Sequence, residues 1–71
     1  MIVEYTIKKT GKTADEIREK IRSELAVDCF VELHPNRLKV HLSSEIPREG
    51  VRILDKIIEE NLDGRRIEVV P

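Results

Sequence analysis

Seventy-one residues and 8.2 kDa leave room for one hydrophobic core, so a single domain over residues 1–71 is expected. Apolar residues (39%) and charged residues (38%) nearly balance, a mixture too rich in Ile, Val and Leu for disorder and too charged for a membrane protein. Thirteen Lys and Arg against fourteen Asp and Glu give a net charge of −1, so no global field draws in nucleic acid or anionic lipid and any basic site has to be local.

No run approaches the roughly 20 apolar residues of a membrane span, and Met1-Ile2-Val3-Glu4 lacks a basic region followed by an apolar stretch. Cys29 is the only cysteine and cannot close an internal disulfide, which fits a reducing compartment. A soluble, cytoplasmic protein without membrane association is therefore expected. Gln and Trp are absent and Glu is the commonest charged residue, a profile that leans toward heat-adapted proteins. So short a chain has little core, and a homodimer is one way to add burial.

Residues 2–9 alternate, with Val3, Tyr5 and Ile7 on one face and Glu4, Thr6 and Lys8 on the other, the period of a half-buried strand. From Thr13 the period lengthens, and Ala14, Ile17, Ile21 and Leu25 fall on one helical stripe. Thr13 and Glu16 form a capping-box pattern at its start. Residues 28–34 and 37–42 return to alternation around His34-Pro35-Asn36-Arg37, in which Pro sets the first turn residue and Asn tolerates an unusual φ at the second. A two-residue loop pairs Leu33 with Leu38, Glu32 with Lys39, Val31 with Val40, Phe30 with His41 and Cys29 with Leu42. Every apolar residue but Phe30 then meets an apolar partner, and a one-residue slip would destroy that match.

Ser43 and Ser44 offer N-capping hydroxyls and Pro47 a first-turn residue for a second helix carrying Val51, Leu54, Ile57, Ile58 and Leu62 on its stripe. Gly64 is expected as the left-handed residue that stops it. Residues 65–70 form the last strand, with Ile67 and Val69 inward and Arg66, Glu68 and Val70 outward. The order resembles the ferredoxin-like superfold, an α+β βαββαβ two-layer sandwich. Its four-stranded antiparallel sheet has order 4-1-3-2 and both helices on one face. The expected core is Val3, Tyr5, Ile7, Ile17, Ile21, Val31, Leu33, Val40, Leu54, Ile57, Ile58 and Ile67. The resemblance is topological and carries no function.

Among chemistry-bearing residues, Lys8, Lys9, Gly11, Lys12 and Thr13 form a lysine-rich loop between strand and helix, where free backbone N–H groups can meet an anion. A full phosphate loop would need a Gly at position 6, which is Thr6. The open sheet face is expected to carry Phe30, Glu32, Arg37, Lys39, His41 and Arg66, with Glu4, Glu68 and His34. Strand three has no stacking aromatic and Tyr5 points inward, so the RNA-binding platform of related folds is missing. The two His residues stand about 13 Å apart along the ribbon, too far to share an ion. Neither a metal, another cofactor nor a catalytic constellation is expected. The sequence points to a small non-enzymatic module acting by self-association, by binding another protein or by binding a ligand. The alternative is an anion- or RNA-binding protein using the lysine loop and the open face. The residue types do not single out one activity.

Overall fold

The computed structural model describes residues 1–71 and runs β1 (Ile2–Thr6), α1 (Ala14–Leu25), β2 (Cys29–Leu33), β3 (Arg37–Leu42), α2 (Arg48–Leu62) and β4 (Arg65–Val70). The strands form one antiparallel sheet of order β2-β3-β1-β4. The helices pack on each other, α1 over the β2 side and α2 toward β4. This is the expected two-layer βαββαβ sandwich, and the β2–β3 register is the one dictated by a two-residue turn.

Local chemistry explains the helix ends. Thr13 Oγ1 accepts the Glu16 N–H at 3.1 Å while Glu16 Oε1 accepts the Thr13 N–H at 3.0 Å, a complete capping box. These bonds hold the Glu16 carboxyl below the usual carboxylate range. α2 departs from expectation at both ends. Its N-cap is Pro47, with no side-chain cap, because the Ser43 N–H donates to Asp28 O and Ser43 stays with the hairpin. Ile46 is buried instead and stands against Gly50. At the other end the left-handed residue is Asp63, at φ 50°, and not Gly64. The Gly64 N–H donates to Ile58 O, tying the chain back over the last turn. Asn36 keeps a negative φ, so the hairpin turn does not use its tolerance for the left-handed region.

Sixteen apolar residues and no polar or charged one form the buried core. Ten of the twelve expected core residues are in it. Leu33 is only half-buried, because β2 lies at the sheet edge. Ile67 is 47% exposed, and the cause is a β-bulge. β4 pairs Glu4 with Glu68 but Tyr5 with Arg66, leaving Ile67 as the extra residue.

The bulge also moves Arg66. Opposite the inward Tyr5, its Nε lies 3.6 Å from Asp55 Oδ2 on α2, so Arg66 is on the helix side and not on the open face. Asp55 also accepts the Tyr5 O–H at 2.6 Å. Burial, then the bond to Asp55, raises the Tyr5 phenol far above its ordinary value. The folded state thus keeps a proton that the unfolded chain releases near pH 10, so this contribution is full below about pH 10 and is lost as pH rises further. Tyr5→Phe is expected to lower stability by about 1–2 kcal/mol at neutral pH and to flatten the alkaline decline, read by urea unfolding between pH 7 and 11.

Candidate functional site

In an antiparallel pair, alternate residues aim both backbone groups at the partner. The His34 N–H donates to Arg37 O and Asp28 O accepts the Ser43 N–H, so the even residues of this stretch face β3. The N–H and C=O groups of Cys29, Val31 and Leu33 consequently face the outer edge. Two of those six groups are already occupied. The Cys29 N–H donates to Asp28 Oδ1 at 3.1 Å, and Cys29 O accepts Arg18 Nε at 2.9 Å. Arg18 Nη2 also meets Asp28 Oδ1 at 3.1 Å, closing the plug and holding the Asp28 carboxyl below its usual range. Val31 and Leu33 have no such cap. The opposite edge, β4, is bulged, which turns its backbone away from a straight partner.

Beside this open edge the sheet presents two rows. The apolar row runs Phe30, His41, Ile2 and Val70 across all four strands. Phe30 is 63% exposed and rests on the His41 ring at a centroid distance of 5.6 Å, tilted by 60°. The charged row runs Glu32, Lys39, Glu4 and Glu68, with Arg37 Nη1 on Glu4 Oε2 at 2.9 Å. Signs alternate around Lys39, a pattern unlike a phosphate-binding stripe.

The two histidines keep the spacing along the ribbon that the hairpin register gives, and one carboxylate lies between them. Glu32 Oε2 lies 2.6 Å from His34 Nε2, and Glu32 Oε1 lies 3.5 Å from His41 Nε2. The His34 bond is the leading cause holding the Glu32 carboxyl below its usual range. His41 Nε2 is sealed from solvent without a hydrogen-bond partner. No three such side chains are disposed to hold a metal ion.

The lysine loop uses much of its backbone internally. Both the Lys8 and Lys9 N–H groups donate to Leu62 O, at 3.0 and 2.9 Å, and Thr13 is committed to the capping box. Gly11 carries φ 111°, the left-handed side that glycine permits. The loop and the hairpin turn enclose a shallow hollow that brings Lys9, Lys12 and His34 together over Ile7, Leu33 and Leu62.

Of the expected open-face residues, Phe30, Glu32, Lys39, Arg37 and His41 share that face and Arg66 does not. Sequence reasoning did not find Arg18, Asp28, Val31 and Leu33 as an edge device. The hairpin register already marks residues 29, 31 and 33 as outward, but the Arg18 cap depends on where α1 lands. Comparison with protein-family models, curated proteins and solved structures found no match to this chain. No helix is long and apolar enough to cross a membrane.

Proposed function

We propose that this chain is a small, non-enzymatic association module of the cytoplasm that binds protein, a second copy included, through the β2 side of its sheet. One observation carries this reading: an apolar row ending in the exposed Phe30 abuts a strand edge with unpaired backbone at Val31 and Leu33. An exposed aromatic and open strand edge are costs to a solitary domain, and association removes both. Two outlying charges, on Asp28 and Arg18, plug one end of that edge and limit how far a partner strand can run. Light-scattering mass across a hundredfold dilution is expected to rise with concentration, and Phe30→Ser is expected to weaken the rise. A constant monomer mass in both proteins would overturn self-association.

A second reading, an anion site, draws on the hollow where Lys9, Lys12 and His34 converge. Free phosphate should then raise the melting temperature through preferential binding to the folded state. Replacing Lys9 and Lys12 with Ala should remove that rise. An identical rise in the double variant would discard the site. RNA contact through the same lysines would weaken steeply with salt, which the association surface would not.

A further inference from the structure

We infer that two copies of this chain join by pairing their β2 edges antiparallel about a two-fold axis centred on Glu32, continuing the sheet from four strands to eight, in a contact that tightens as the pH falls. This rests on the association reading above and specifies its partner, register and control.

The register follows from which backbone groups are free. Centred on Glu32, Val31 of one copy faces Leu33 of the other, and the two outward-facing residues exchange both N–H and C=O bonds, four in all. Centring on Val31 would require Cys29 to pair with Leu33 of the second copy, but Asp28 and Arg18 already hold both Cys29 groups. Centring on Leu33 would place Val31 opposite Pro35, which has no N–H to give. The Glu32-centred register alone uses every free group and requires none that is occupied.

Side chains agree with that choice. On the helix side, Leu33 of each copy meets Val31 of the other, at the mouth of a groove lined by Ala14, Arg18, Cys29 and Val31 beneath α1. The half-buried Leu33 thereby gains the cover it lacks at an edge. On the open side Phe30 comes opposite His34 of the second copy, in the isologous arrangement that a two-fold axis requires.

Control comes from the residue at the axis. Two Glu32 side chains stand directly opposite each other, a repulsive pair in a sheet. Each carboxylate already faces His34 on its own strand and Lys39 and His41 on β3. Arg37 on β3 is engaged by Glu4 of β1, so neither of those neutralises the pair. Histidine ordinarily gains its charge between pH 8 and pH 5. Protonation of His34, whose Nε2 lies 2.6 Å from Glu32 in each copy, pairs both carboxylates within their own strands and relieves the like-charge opposition. The Glu32 carboxyl, held below its usual range, stays ionised through that window.

The test combines cross-linking with mass. Opposed residues of a non-hydrogen-bonded antiparallel pair have Cα atoms about 4.5 Å apart, within disulfide reach. Under mild oxidation, Glu32→Cys is expected to give a cross-linked dimer, whereas Phe30→Cys and the natural chain with its buried Cys29 are not. Sedimentation equilibrium should show association about tenfold weaker at pH 8 than at pH 5.5, and Glu32→Gln should abolish that difference. Association without a Glu32→Cys cross-link would overturn the β2 pairing and leave the association reading standing. A monomer at both pH values and all concentrations would overturn both. A pH dependence unchanged by Glu32→Gln would overturn the control.

Discussion

Val40→Asp is expected to leave the chain unfolded at 25 °C, with the far-ultraviolet circular dichroism of a disordered polypeptide. Val40 is fully buried at the middle of β3, between Val31 on β2 and Val3 on β1, and no polar side chain is buried in that core. An Asp there has no donor to meet and loses its hydration whether charged or protonated. The cost is about 4–5 kcal/mol. In a chain this short a single core supplies only about 3–5 kcal/mol of net stability, so the substitution consumes essentially all of it. Lys39→Thr, one residue away on the open face, should fold. If Val40→Asp melted cooperatively near the natural temperature, the assignment of faces along β3 would be wrong.

Gly64→Ala should lower stability by about 1–3 kcal/mol, and with it the melting temperature by about 10 °C. The reason is close approach. A Cβ at position 64 would fall 2.4 Å from Ile58 Cγ2, 3.1 Å from Thr6 O and 3.3 Å from Ile7 Cγ2. Ile58 is fully buried and the chain at Thr6 is tied into the sheet on both sides, so neither can yield freely. Gly64 is thus required where the α2 exit crosses the end of β1, and Asp63 supplies the left-handed turn. Urea unfolding of the natural and variant chains measures the loss, and equal midpoints would remove the steric account.

Periodicity and turn chemistry were sufficient for the order of elements, the capping box at Thr13 and the whole β2–β3 register. Each of these depends on neighbours in sequence, and a two-residue turn forces every later pair. The misplaced residues share a different cause. Simple alternation puts Ile67 inward and Arg66 outward, which a single extra residue in β4 overturns. Such a bulge leaves no compositional mark, because it is decided where β4 meets β1 from the far end of the chain. A glycine just after a helix usually supplies the left-handed turn, and nothing local marks Gly64 as different, because its neighbours Thr6 and Ile7 lie more than fifty positions upstream.

The candidate site divides along the same line. Its components Phe30, Glu32, Lys39 and His41 were legible on one face from strand parity alone, since side chains two apart share a face whatever the tertiary context. Their assembly into rows with Ile2, Glu4, Glu68 and Val70 needed the pairing of β1 with both β3 and β4. The placing of one carboxylate between His34, which it bonds, and His41, 3.5 Å away, depended on side-chain reach across the ribbon. The sequence by itself therefore determined the elements, the hairpin register and which face each β2 and β3 side chain takes, all set by local periodicity. Only the tertiary structure decided which strand edge stays open, because Arg18 has to arrive from α1 to close Cys29 and a bulge has to turn β4 aside.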